Sequence, residues 1–146
     1  ILTGLVVFLA GCAGVSPETG GFRFEETEFD FGVVKQSGGI VTHEFPFTYN
    51  GDFPVRVTGT PASCTCTRGI ISQNDFQKGD RGVLTVEFDP NLHEEPAGKF
   101  FKTVAVLTDP KLDAAPEVKI RAEIDLDLGP DAYQLKGHKD EDDHDD

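Results

Sequence analysis

Three features of the sequence predict an all-β sandwich. Hydrophobic residues recur with a period of two in several short runs, turn-forming residues separate those runs, and no stretch carries a capped helical repeat. A period of two puts alternate side chains on opposite faces of a strand, so that one face packs and the other meets water.

In chain order, Phe29, Phe31 and Val33 first alternate with Asp30 and Gly32. Val41, His43, Phe45, Phe47 and Tyr49 alternate with Thr42, Glu44, Pro46 and Thr48, and Pro46 marks that strand as an edge or a bulge because it lacks a backbone donor. Leu84, Val86 and Phe88 share a face opposite Thr85 and Glu87. Phe100, Lys102, Val104 and Val106 continue the pattern. Val118, Ile120, Ala122, Ile124 and Leu126 point in, with Lys119, Arg121, Glu123 and Asp125 outward. Turns are signalled at Ser37-Gly38-Gly39, Asn50-Gly51-Asp52, Lys78-Gly79-Asp80, Asp89-Pro90-Asn91, Pro96-Ala97-Gly98 and Asp109-Pro110. About seven or eight antiparallel strands at this spacing form an Ig-like β-sandwich. Phe31, Phe45, Phe47, Val86, Ile120 and Ile124 are expected to form one core between its sheets.

The sandwich is bounded as residues 22–128, with tails on either side. Ile1 to Ala10 is apolar but too short to span a bilayer as a helix. It lacks an initiator Met and a basic n-region, so residues 1–11 read as a truncated signal peptide that is removed on maturation. Leu9-Ala10-Gly11-Cys12 resembles a bacterial lipobox, which implies a lipid on Cys12. Residues 12–21 then form a flexible, lipidated tether, rich in small and turn-forming residues, whose reach beyond the Cys is roughly 30 Å at about 3.3 Å per residue. Ala13 rather than Asp follows the Cys, which under the enteric sorting rule directs an anchored protein to the outer membrane of a diderm cell. Residues 129–146 read as a disordered acidic tail, because the segment from Gly137 onward has no apolar residue to bury.

Composition narrows the partners. The net charge of −13 opposes binding to the phosphate backbone of nucleic acids, and opposes binding to anionic lipid without an anchor. No P-loop, no Gly-x-Ser-x-Gly, no His-Glu-x-x-His and no dinucleotide-binding glycines are found, so the chain reads as non-enzymatic and without a required cofactor.

Several motifs occur in a fixed order: Phe29-Asp30-Phe31-Gly32, His43-Glu44-Phe45-Pro46-Phe47, Asn50-Gly51, Ser63-Cys64-Thr65-Cys66-Thr67, the Gly79–Gly82 turn into Val86-Glu87-Phe88-Asp89, and Gly98-Lys99-Phe100. Together they resemble the bacterial envelope family known as domain of unknown function 1573, over roughly Phe22 to Asp127. The resemblance implies an Ig-like domain, related in shape to major-sperm-protein and Hydin-type domains. Thr65 stands where that family usually has Gly, and Lys78 where it usually has Pro.

The residues with chemical potential are few. With Cys12 lipidated, Cys64 and Cys66 remain as an even pair in an oxidising compartment. On a strand, residues two apart share a face, with Cα atoms about 6.5–7 Å apart, so a disulfide there requires a local bend. Three readings stand: a structural pair, a soft-metal site for copper, or thiol–disulfide exchange. His43, on the inward face of its strand, reads as a half-buried residue bonded to backbone, or as a weak metal candidate beside the thiols. His93, among Asn91, Glu94 and Glu95, reads as solvated loop surface. His138 and His144, in the acidic tail, are weak candidates for divalent cations. The leading function is a lipid-anchored binding or scaffold module of the bacterial cell envelope for a protein partner. The alternative is a periplasmic copper-binding or thiol-redox protein that uses Cys64-Thr65-Cys66.

Overall fold

The structure is a computed structural model that describes residues 18–135. Cys12, His138, His144, the signal segment, the start of the tether and the tail from residue 136 lie outside the described residues. Among the described residues, eleven strands run β1 Glu18–Thr19, β2 Phe22–Phe24, β3 Glu28–Lys35, β4 Val41–Tyr49, β5 Val55–Gly59, β6 Thr67–Ile71, β7 Asp75–Phe76, β8 Arg81–Phe88, β9 Phe100–Ala105, β10 Leu107–Asp109 and β11 Glu117–Asp125. They exceed the expected seven or eight because β1, β2, β7 and β10 are short pieces of two or three residues. One layer has the order β1-β2-β4-β8-β6, and the strands facing it form the sheets β3-β11-β9 and β10-β5-β7. The fold is the expected Ig-like sandwich, with one departure: β3 lies parallel to β11, while the other strand pairs are antiparallel. These two strands come from opposite ends of the domain and share no hairpin, so their connection does not impose an antiparallel arrangement.

The core is largely aromatic. The ring centroids of Phe22 lie 5.2 Å from Phe47 and 5.0 Å from Tyr49, and Phe47 lies 5.2 Å from Phe76. Such pairs contribute about 0.5–1.5 kcal/mol each beyond the area they bury. Phe45, Phe47, Val86 and Ile120 are buried as expected, while Phe31 and Ile124 are half-buried against the same cluster. Leu126, expected inside, is 48% exposed because β11 ends one residue earlier.

Two strands differ from their reading in the sequence. Asp30 pairs with Arg121 and Val33 with Glu123, so β3 has one residue more than β11 between these pairs. This bulge is centred on Gly32, whose φ of 69° is in the left-handed region, and the Gly32 N–H donates to Asp30 Oδ1 at 2.8 Å. Beyond the bulge the strand presents its other face: Val33, expected inside, is 64% exposed, and Val34 is buried in its place. The second case is β4, which Pro46 had marked as an edge or a bulge but which lies between β2 and β8 with an unshifted register through Pro46. The Pro46 carbonyl accepts from Glu25 N at 2.9 Å, just past the end of β2. The missing donor therefore points to the side where the neighbouring strand is already ending, and the ladder to β8 keeps its bonds.

The two ends of the sandwich differ. β4 finishes at Tyr49 beside β1 and β2, and there Asn50 N donates to Gly21 O at 2.7 Å. At the other end β3 turns into β4, β8 runs out, β6 begins and the chain leaves β11. Buried Gln36 ties this end together: its Nε2 donates to Gly129 O, its Oε1 accepts from Leu128 N, and its carbonyl accepts from Asn91 Nδ2. The ordered domain also runs further at both ends than the boundaries read from the sequence. Residues 18–19 pair with β2, and Gln134 N and Leu135 N donate to Asn91 O and Leu92 O, each at 2.8 Å.

The bulge makes a testable distinction between neighbours. Val34→Ala should destabilise by about 2 kcal/mol, the cost of two buried methylene equivalents, whereas Val33→Thr should change stability by less than about 0.5 kcal/mol. Urea unfolding of both variants checks this, and equal losses would contradict the described register.

Candidate functional site: a sulfur, imidazole and carboxylate cluster at the rim

Cys64 and Cys66 are delivered to the rim by an extended segment rather than by a strand of their own sheet. Ala62 bridges Val104, and Ser63 N donates to Thr103 O at 2.9 Å, so residues 61–63 run along β9. The chain then turns: Thr67 N donates to Cys64 O at 3.1 Å, and β6 begins. The turn brings the two Cα atoms to 5.2 Å, closer than strand geometry allows, and the sulfurs are joined as a disulfide. The expected same-face strand pair is thus a bridged pair in a turn, with Thr65 at its bend. Cys66 is buried and Cys64 half-buried.

The loop after β8 meets this turn. β6 and β8 pair with Thr67 opposite Phe88, so residues just before β6 and just after β8 must lie together. Asp89 N donates to Cys66 O at 2.9 Å, which continues the ladder across. The loop then returns to place His93 Nε2 at 3.0 Å from Cys64 Sγ. His93 was expected at the solvated surface; instead it is half-buried and contacts sulfur. Its Nδ1 lies 2.9 Å from Glu94 O. A carbonyl only accepts, so Nδ1 carries a proton, and in the neutral ring the lone pair is then on Nε2, the nitrogen facing the sulfur.

Glu95 completes the group. Its side chain is 3% exposed, and Oε2 accepts from Lys102 Nζ at 2.6 Å. Its Oε1 lies 3.7 Å from Cys64 Sγ and 3.6 Å from His93 Nδ1. Potential ligand atoms of Cys64, Cys66, His93 and Glu95 all fall within 4.8 Å of one another. Cys66 N also donates to Cys64 Sγ at 3.2 Å.

The C-terminal segment closes over this loop. Tyr133 is buried, and its hydroxyl is pushed above the usual phenol range by burial first and then by Glu94, against a hydrogen bond from the Glu95 backbone. Pro130–Ala132 forms a single 3-10 turn that presents Tyr133 to the loop. Residues 129–135, read as the start of a disordered tail, are therefore part of the wall around His93 and Glu95.

The remaining candidates separate from this cluster. His43 does not join the thiols, and its partner is not backbone as expected. Its ring stacks on Phe29 at 3.5 Å, and Nε2 lies 2.6 Å from Glu26 Oε1. Reasoning from sequence missed Glu95 and Lys102, and took His93 for surface. The usable signal was the pairing of β6 with β8, which folds the polar residues 91–95 back onto the cysteines.

The family model described as "Protein of unknown function (DUF1573)" matches residues 22–124. The chain belongs to this family. No curated protein matches it in sequence. Among solved structures, a protein of unknown function from Porphyromonas gingivalis W83 is similar with a TM-score of 0.55 at 16% identity, covering 76% of this chain and 50% of that one. The YadV chaperone is similar with a TM-score of 0.51 at 10% identity, over 72% of this chain and 52% of that one. The ASH / PapD-like domain of human CEP192 is similar with a TM-score of 0.50 at 9% identity, over 86% of this chain and 96% of that one. The chain spans about half the length of the first two structures. At these identities the likeness establishes the fold, and the family's name assigns no activity.

If Tyr133 holds the loop, Tyr133→Ala should lower stability by about 2–3 kcal/mol. It should also speed alkylation of Cys64 after reduction, and an unchanged alkylation rate would show that the loop holds its position without the C-terminal segment.

Proposed function

We propose that this chain is a non-enzymatic binding module of the bacterial cell envelope, lipid-anchored at Cys12, which takes a protein partner along β3. The observation that carries the reading is the open edge of β3. This eight-residue strand pairs with β11 alone among the described residues. Other edges are shorter or covered. The segment 61–63 lies along the outer side of β9, and Gly69 O on β6 accepts from Thr60 Oγ1. A free edge offers backbone donors and acceptors to an extended peptide, and exposed side chains beside it supply selectivity. Val33 on β3 and Phe101 on β9 are the large apolar groups on the outer face of this sheet, at 64% and 57% exposure. One of the structures that share the fold is named a chaperone.

Charge surrounds these apolar groups and guards the edge. Lys119 and Arg121 hold the Glu28 carboxyl below the usual carboxylate range, and Lys99, with the Gly32 N–H, does the same for Asp30. Lys119 Nζ also sits 5.3 Å from the centroid of Phe101. Such charges deter indiscriminate strand pairing while leaving a selected partner room to bind.

Two outcomes are expected. A photocrosslinking residue at Val33, introduced into the anchored protein in its own cells, should form one defined adduct. A control at Lys111 should form none, and Cys12→Ser should release the protein from the membrane fraction and remove the adduct. Equal adducts at both positions, or a Cys12→Ser protein that stays with the membrane, would overturn the reading. Separately, carboxyls with lowered pKa bind fewer protons folded than unfolded, so their stabilisation is present at neutral pH and fades as pH falls through the ordinary carboxylate range to the lower folded values. Thermal melts from pH 7 to 3 should show that loss, and Glu28→Gln should reduce it.

A further inference from the structure

The cluster of Cys64, Cys66, His93 and Glu95 has a chemistry that the edge of β3 does not use. We propose that in the dithiol state these four side chains bind one divalent ion of the zinc type, and that the Cys64–Cys66 disulfide is the closed form of the site. The inference stands independently of the partner proposed for β3.

The donor set is the first support. Two thiolates, an imidazole and a carboxylate are ligands that zinc takes in tetrahedral sites, whereas a carboxylate is a poor ligand for Cu(I). Bonds of about 2.0–2.3 Å place tetrahedral ligands roughly 3.3–3.8 Å apart. The four donor atoms already lie within 4.8 Å of one another, so the loops need move little once the sulfurs separate.

Orientation is the second support. The Glu94 carbonyl holds a proton on Nδ1 of His93, so that the neutral ring, the form that binds a metal, carries its lone pair on Nε2, which lies 3.0 Å from Cys64 Sγ. A disulfide sulfur has no proton to offer that lone pair. A backbone carbonyl on the distal ring nitrogen is the support that metal-bound histidines commonly have. Lys102 does the same for Glu95 by holding Oε2 and leaving Oε1 on the side of Cys64.

Charge is the third. Two thiolates and one carboxylate, in a pocket where Cys66 and the Glu95 side chain are almost wholly buried, are a costly group of anions. One divalent ion together with the Lys102 ammonium balances them. Without the ion, the charge is relieved by protonating the thiols or by joining them.

The opening step balances with a dithiol as reductant. Its two thiols reduce the Cys64–Cys66 bond, it leaves as a cyclic disulfide, and the two hydrogens pass to the protein sulfurs. The ion then displaces both thiol protons to solvent and forms two metal–sulfur bonds.

The test uses the full chain carrying Cys12→Ser, reduced with dithiothreitol, desalted under anaerobic conditions and titrated with Co²⁺. The expected result is one equivalent bound, with the intense visible bands of tetrahedral cobalt and a thiolate charge-transfer band. Added Zn²⁺ should displace it, and the oxidised protein should give no such spectrum. His93→Gln, at a half-exposed position, should weaken Co²⁺ binding at least about tenfold. A paired His138→Gln and His144→Gln variant should bind as before. Zn²⁺ should also slow alkylation of the two thiols in the parent and not in His93→Gln. A weak octahedral spectrum, an unchanged affinity in His93→Gln, loss of binding with the tail histidines, or no binding by the reduced chain would each overturn the assignment.

Discussion

The pairing of β8 with β4 on one side and β6 on the other is the constraint on which the rest of the molecule depends. It sets Val41, Phe88 and Thr67 side by side, and that register determines the inward faces of all three strands. Phe45, Leu84, Val86 and Phe88 then project into one layer, where the facing strands bury them. The same register decides where the strands end together. The cysteine turn and the loop that carries His93 meet because one precedes β6 and the other comes after β8. A slip of one residue would turn every core side chain of a strand outward and would separate Asp89 from Cys66 at the rim. Core and candidate site are thus two results of one ladder.

Local features were the part legible in the sequence. The period of two in β4, β8 and β11 located Phe45, Phe47, Val86 and Ile120 in the core, because the face of a side chain depends only on its position along its own strand. The order of strands within the sheets is not local. Pro46 suggested an edge because proline cannot donate, yet what matters is whether a partner needs that donor, and β2 ends there. The bulge at Gly32 has the same origin: an extra residue is defined only against the strand opposite, and β11 lies some ninety positions away. Val33 and Val34 exchanged places for that reason.

The site was legible in part. Cys64 and Cys66 were identified by type and spacing, and their bend was foreseen as a condition for bonding. Their neighbours were hidden because His93-Glu94-Glu95, taken alone, reads like any polar loop. Burial of Glu95 depends on Lys102 from β9 and on Tyr133 from beyond the last strand, and neither carries a motif. A buried ion pair of this kind contributes little net stability, since desolvation offsets much of the attraction, but it holds the carboxylate in one orientation.

The opposite placement of the two ends of the sandwich gives the domain a direction. The described chain enters at β1, next to the finish of β4, while the sulfur cluster lies where β4 begins. The nine residues of β4 separate these ends by roughly 26 Å. The disulfide, the His93 loop and Leu135, whose N–H bonds Leu92 O, therefore share the end of the sandwich opposite the one where β1 pairs with β2.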